Sequence, residues 1–186
     1  MESEHGKVGR PRSERAREAV LEAVDDLLVE TGYAAMTMKG IAERAGVSRQ
    51  TVYRWWSTKA EILFEASATD AEEELTIQPT GDPQADLTAY LTALIHFLAH
   101  SHAGAAYRAL LGEAQHDPDV ARLIATKDVL AETARPLLAE ALPTTPPDQA
   151  APHLIGPTLY TLLTGQPPSN LNPAHLAHTF LKTFPR

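Results

Sequence analysis

The sequence predicts an all-α protein in two parts: a small head built on a helix-turn-helix and a larger helical body. Three observations carry that expectation. Apolar residues recur at three- and four-residue intervals along most of the chain, and no stretch alternates in the manner of a half-buried strand. Between residues 46 and 56 a glycine turn, a helix cap and a helix with separate apolar and polar faces follow one another directly. Beyond residue 60 only helical stripes remain, divided by Pro- and Gly-containing loops. The expected parts are a basic arm over residues 1–12, the head over 13–60 and the body over 61–186.

In the arm, Lys7-Val8-Gly9-Arg10-Pro11-Arg12 should lie extended, because the residue before a proline is pushed out of the helical region. Ser13 opens the first helix as N-cap, with Glu14 in its first turn. Ala16, Val20, Ala23, Val24, Leu27 and Leu28 share one face, and the charges between them, Arg17 included, form a solvated face. Gly32 ends that helix in the left-handed conformation. Ala34-Ala35-Met36 is a link, and Thr37 caps a short helix over residues 38–45 with Ile41, Ala42 and Ala45 turned inward. Gly46 can take the positive φ that closes it, Val47 turns toward the core, and Ser48 caps the third helix. There Val52 and Trp56 point inward four residues apart, which leaves Arg49, Gln50, Thr51, Tyr53, Arg54 and Trp55 on outer or flanking faces.

The body begins with a helix from Thr58 that carries Ala60, Leu63, Phe64, Ala66 and Ala71 and ends near Glu72-Glu73-Glu74. Thr76 to Pro83 is a loop, and Asp82 caps a long helix bearing Leu87, Tyr90, Leu91, Leu94, Ile95, Phe97 and Leu98. The run His100–Gly104 should break it. Helical patches follow over residues 105–115 and 118–140, the second interrupted near Ala125. After the loop at Pro143–Pro147 come two last segments, Asp148–Gly165 and Pro173–Phe184, with Pro157 expected to kink the first or delay its start.

Composition excludes several classes. No window holds the run of about eighteen apolar residues that a membrane span needs, and the N-terminal residues have no apolar signal region. The chain has no cysteine, which removes disulfides, thiolate zinc sites and cysteine nucleophiles and agrees with a cytoplasmic location. A net charge of −8 argues against a nucleic-acid partner until it is divided along the chain. Residues 1–60 hold ten Lys/Arg against nine Asp/Glu, and residues 61–186 hold six against fifteen. A near-neutral head on an acidic body can present the head alone to phosphate.

Helix, glycine turn and second helix is the plan of a helix-turn-helix, whose second helix enters the major groove. Arg49, Gln50 and Thr51 occupy its first turn, the part that reaches base edges. An arginine can hold guanine O6 and N7, a glutamine adenine N6 and N7, and a threonine a thymine methyl or a phosphate. Trp55 offers one N–H and a flat surface to the sugar-phosphate backbone, and Arg54 flanks it. The Gly-Arg-Pro-Arg segment resembles AT-hook peptides, which makes Arg10 and Arg12 candidates for the narrow minor groove.

Ile41-Ala42-Glu43-Arg44-Ala45-Gly46-Val47-Ser48, then Thr51-Val52-Tyr53-Arg54-Trp55-Trp56 and Lys59, resembles the DNA-binding domain of tetracycline-repressor-type (TetR/AcrR) regulators. The resemblance covers roughly residues 13 to 68, and Trp55 departs from it where relatives more often carry histidine or tyrosine. It implies that Lys39 reaches DNA and that the Tyr53 hydroxyl and the Lys59 ammonium hold phosphates. It further implies a homodimer on a palindromic double-stranded operator, with half-sites about 34–36 Å apart. The last two helices would pair with a partner copy, through Leu154, Thr158, Leu159, Leu162, Leu176 and Phe180. A small-molecule effector would bind in the body, among Tyr90, Leu94, Phe97, Tyr107, Leu110, Leu111 and Tyr160, and release DNA in a repressor's manner. No cofactor, metal or enzymatic activity is expected. The densest set of catalytic-type residues, His96, His100 and His102, supports only an alternative metal- or ligand-binding reading, because no His-Glu-x-x-His pattern accompanies it. A second alternative is a sequence-independent architectural DNA-binding protein.

Overall fold

The structure, a computed structural model, describes residues 10–184, with side chains from residue 13 onward. Ten α-helices and one 3-10 turn lie among these residues, and there is no strand among them. The chain separates into two compact units, Met1–Ala66 and Ser67–Arg186, and the division falls inside a helix.

In the first unit α1 spans Arg10–Ala35, α2 Met38–Arg44 and α3 Arg49–Tyr53, and α4 starts at Lys59. Helix α1 begins earlier than the sequence predicts, at Arg10 rather than after Ser13. Pro11 is tolerated because it falls in the first turn, where a backbone N–H has no helical partner in any case. The extended conformation expected for residues 10–12 is therefore not adopted, and residues 1–9 lie outside the described ones. Gly32 interrupts α1 with φ 75° and ψ 162°, a combination that residues with a Cβ rarely take. Val20, Ala23 and Val24 of α1, Ile41 and Ala42 of α2, Val52 of α3 and Ile62 and Leu63 of α4 form the core. The division lies at Ala66 rather than after residue 60 because the first two turns of α4 supply part of that core.

The second unit holds the remainder of α4 to Leu75, then α5 Pro83–His100, α6 His102–Glu113, α7 Pro118–Thr126, α8 Val129–Ala141, α9 Pro147–Leu163 and α10 Pro173–Thr183. A 3-10 turn, Pro168–Asn170, joins the last two. Asp82, Ser101, Asp117, Asp128 and Asn172 cap α5, α6, α7, α8 and α10 by accepting backbone N–H groups of the first turn. Helix α5 is the central member and packs on α6, α8, α9 and α10. That placement explains why Leu87, Tyr90, Leu91, Leu94, Phe97 and Leu98 are all fully buried.

Three boundaries differ from expectation. The break after α5 is Ser101 alone, and Gly104 lies inside α6. A Cβ at Gly104 would fall 1.9 Å from the Phe97 carbonyl oxygen, so this glycine permits close backbone approach and does not end a helix. The interruption expected near Ala125 lies at Lys127-Asp128. Helix α9 starts at Pro147, ahead of both internal prolines, so Pro157 does not delay it.

Candidate nucleic-acid interface

The turn between α2 and α3 is built as its residues dictate. Gly46 takes φ 66°, the Val47 N–H reaches back to the Ala42 carbonyl at 3.0 Å, and the Gly46 N–H lies 3.3 Å from the Glu43 carbonyl. Ser48 then caps α3, its hydroxyl accepting the Thr51 N–H at 3.2 Å and meeting the Thr51 hydroxyl at 2.9 Å. Helix α3 ends at Tyr53, so Trp55 and Trp56 lie beyond it and not on it. The Trp56 backbone N–H still donates to the Val52 carbonyl at 3.1 Å, which keeps the two on one inward face.

Of the residues assigned to DNA, Arg49, Gln50, Tyr53 and Arg54 are exposed and Thr51 and Trp55 are half-buried, while Val52 and Trp56, assigned to the core, are buried. The Arg49 and Gln50 side chains make no hydrogen bond or ion pair among the described residues. Tyr53 is 55% exposed, a large aromatic surface with nothing of its own unit over it. The Arg54 guanidinium stands 4.7 Å above the Trp55 ring, and the Trp55 and Trp56 rings meet edge to face at 5.5 Å. Lys39 is exposed and pairs with Glu43 one turn along α2 at 3.5 Å. The side chains of Arg10 and Arg12 lie outside the described ones.

Lys59 is placed differently from the expected phosphate contact. Its half-buried ammonium donates to the carbonyls of Tyr33 at 2.7 Å and Met36 at 3.0 Å, and lies 4.2 Å above the Tyr33 ring. Two of its three N–H groups are thus engaged where α1 ends, on carbonyls that no helical turn follows.

Residues that sequence reasoning passed over hold α3 in place. Glu65 of α4 accepts the Trp56 indole N–H at 2.9 Å and pairs with Arg17 of α1 at 2.6 Å, so Arg17 is not merely solvated. Arg44 at the end of α2 pairs with Glu30 and, at 3.3 Å, with Asp26 of α1. Hydrogen bonding from Arg44 holds the Glu30 carboxyl below the usual carboxylate range. Glu61 accepts the Ser57 N–H at 2.6 Å while Thr58 accepts the Glu61 N–H at 3.2 Å, a reciprocal cap on α4. The Ser/Thr-x-x-Glu spacing at Thr58–Glu61 is the one sequence signal that could have found any of these.

The second unit has a half-open cavity of about 250 Å³ between α6, α7, α8 and α9. Of the seven residues expected to line an effector site, Tyr107 and Leu111 line this cavity. Tyr90, Leu94, Phe97 and Leu110 are sealed in the core, on the faces of α5 and α6 that meet neighbouring helices, and the Tyr90 hydroxyl donates to the Leu130 carbonyl at 2.8 Å. Tyr160 faces outward and is 67% exposed. The expected partner-facing residues are corrected likewise: Leu154, Thr158, Leu162 and Phe180 are buried within a single chain. Leu159 lines the cavity and Leu176 is half-buried. Facing outward on α9 instead are His153, Pro157, Tyr160 and Leu163, with Leu163 51% exposed.

The His96 and His100 rings lie 5.5 Å apart, tilted by 48°, yet among the described residues no group of three His, Asp or Glu side chains could hold a metal ion. Among the same residues no helix is long and apolar enough to cross a membrane.

Residues 20–66 match the model of bacterial regulatory proteins of the tetR family, and residues 77–179 match the tetracyclin repressor-like C-terminal domain. The chain belongs to the TetR family. Proteins of that family are DNA-binding transcriptional regulators and not enzymes. The chain is 39% identical over 121 residues to the uncharacterized HTH-type transcriptional regulator YdeS of Bacillus subtilis, a stretch that covers 65% of this chain and 61% of YdeS. It is 33% identical over 92 residues to the HTH-type transcriptional regulator AqdR of Rhodococcus erythropolis, covering 50% of this chain and 44% of AqdR. Matches to these curated relatives therefore span between two-fifths and two-thirds of their lengths. Among solved structures, the TetR family transcription regulator SCO0332 aligns over 92% of this chain and 100% of its own with a TM-score of 0.70 at 28% identity.

Proposed function

We propose that this TetR-family regulator binds a palindromic operator as a homodimer and represses until a small molecule enters the cavity of its second unit. The observation that carries the DNA reading is that Arg49 and Gln50 stand exposed in the first turn of α3 with no partner among the described residues. Arginine and glutamine so placed are the side chains that hold guanine and adenine edges. Thr51 joins them with its methyl, since its hydroxyl already meets Ser48. Tyr53, Arg54, Trp55 and Lys39 contact the sugar-phosphate backbone, and Arg10 and Arg12 follow the adjoining minor groove. Lys59 acts first as a clamp at the end of α1, with one N–H left for phosphate.

A helix-turn-helix alone covers too few base pairs for useful specificity, so a second copy is required. The outward face of α9, with Tyr160 and Leu163, is the proposed dimer contact: exposed aromatic and aliphatic groups of that size favour a covering partner. An effector in the cavity releases DNA only if it binds the released conformation more tightly than the DNA-bound one.

The test is operator binding by fluorescence anisotropy with single variants. Arg49→Ala should cost about 1–3 kcal/mol and relax preference at one base pair per half-site. Tyr53→Phe should weaken binding to every duplex alike. Equal affinity of the unaltered protein for operator and random duplex would overturn the proposal in favour of architectural binding.

A further inference from the structure

Helix α3 is five residues long, too short to be stable alone, so its orientation is set by what anchors its two ends. Ser48 fixes the first end by capping it. At the second end the Trp56 ring enters the core, 3% exposed, and its N–H donates to Glu65 of α4 at 2.9 Å. Glu65 is in turn held by Arg17 of α1 at 2.6 Å. A buried indole N–H needs an acceptor, so the ring settles where Glu65 can receive it, and that bond fixes a ring angle that packing alone leaves free.

The Trp56 ring supports the two residues before it. It meets the Trp55 ring edge to face at 5.5 Å, and the Arg54 guanidinium stands 4.7 Å above the Trp55 ring. The Arg54 side chain makes no hydrogen bond or ion pair among the described residues, so the face of Trp55 is its support. A guanidinium stacked on a ring keeps the N–H groups at its edge free, and those are the groups that take a phosphate. Arg17, Glu65, Trp56, Trp55 and Arg54 thus form one line of side-chain contacts, from α1 and α4 to an exposed cation beside the recognition helix.

Resting on the reading that Arg54 contacts the DNA backbone, we propose that Glu65 is a positioning residue for DNA binding. Through the Trp56 indole N–H it holds the Trp55 ring, and with it the Arg54 guanidinium, where a phosphate is met. Glu65 touches no DNA itself. A contacting group whose support is loosened binds less well even though it is still present.

The test uses two probes: a duplex that the protein selects from a random-sequence library, and a duplex of unrelated sequence. Each is titrated against the full chain by fluorescence anisotropy over a salt series, well below the melting temperature of every variant. Arg54→Ala sets the reference, with weaker binding to both duplexes and a smaller slope of log affinity against log salt. Trp56→Phe keeps an aromatic ring and removes the N–H, and Glu65→Ala removes the acceptor. Each should weaken both duplexes at least about fivefold and lower the slope toward that of Arg54→Ala, although neither removes a cation. Loss of an acidic side chain would by charge alone strengthen DNA binding, so the sign of the Glu65→Ala effect separates positioning from charge. Glu65→Gln keeps an oxygen for the indole and should restore most of the affinity. Trp56→Phe added to Arg54→Ala should weaken binding no further. A merely structural role would lower the melting temperature, read by circular dichroism, and leave affinity and slope of the folded protein intact. Unchanged binding in Trp56→Phe and Glu65→Ala, tighter binding in Glu65→Ala, or additive losses in the double variant overturns the proposal and leaves the Arg54 contact standing. Unchanged binding in Arg54→Ala itself overturns both. Should Glu65→Ala fail to fold, Trp56→Phe and its double variant decide the outcome.

Discussion

Replacing Lys59 by methionine keeps the length of the side chain and removes its ammonium. Two charge-assisted hydrogen bonds, to Tyr33 and Met36, and one cation–π contact disappear together. Bonds to charged groups contribute about 1.5–3 kcal/mol each, and a partly exposed cation–π contact about 0.5–1 kcal/mol. Lys59 is only half-buried, so the freed carbonyls can turn to water and the lower ends apply. The loss is then at most about 3.5 kcal/mol, or up to about 7–14 °C in melting temperature for a chain of this size. Trp55 and Trp56 are the chain's two tryptophans and both lie in the first unit, so tryptophan fluorescence follows the melting of that unit selectively. The second measurement is the salt dependence of operator binding. If Lys59 holds a phosphate, its replacement should lower the slope of log affinity against log salt by about one; if it serves as a clamp, affinity falls with the slope unchanged. An unchanged melting temperature with a slope reduced by about one would refute the clamp and restore Lys59 to the backbone contacts.

Other outcomes are equally specific. Gly104→Ala and Gly112→Ala make one substitution twice in α6. The first puts a methyl 1.9 Å from backbone and should cost about 3 kcal/mol or more, while the second meets nothing and should gain about 0.5–1 kcal/mol, both read by helical circular dichroism on heating. Burial, and then the Glu73 charge, raise the pKa of Asp70, so its charged form weighs against the fold above that pKa. Asp70→Asn should therefore stabilise by about 0.2–0.5 kcal/mol at neutral pH, a gain that fades as pH falls through the raised pKa and is gone below the ordinary aspartate value of about 4. Tyr160→Asp with Leu163→Asp should leave a folded monomer in analytical ultracentrifugation and abolish operator binding; an intact dimer would move the interface away from the outer face of α9.

The head was the more legible half because its signals are local. Thr37, Gly46 and Ser48 act within three or four residues of themselves, and each is found where its chemistry predicts. The start of α1 was misplaced because a proline that excludes the interior of a helix is harmless in its first turn. The Lys59, Arg44 and Glu65 contacts lie from nine residues apart (Trp56 to Glu65) to the far longer separation of Arg17 and Glu65, and no spacing rule reaches so far. In the body, helical periodicity gives the apolar face of each helix but not its neighbour. Leu94 and Phe97 share a stripe whether it meets a cavity or another helix, and only the central position of α5 decides that they meet helices. Leu154 and Phe180, expected at a partner, are buried within a single chain for the same reason.

The independence of Arg49 and Gln50 from the rest of the first unit bears on how such a regulator acquires new targets. Ser48, Val52 and Trp56 supply the cap and core of α3, and substitutions there disturb folding before they touch recognition. Substitutions at 49 and 50 disturb no internal bond. A lineage could thus exchange one operator for another by drift at two adjacent codons while the scaffold stayed under unchanged selection, which makes duplication followed by retargeting a short evolutionary route for this chain.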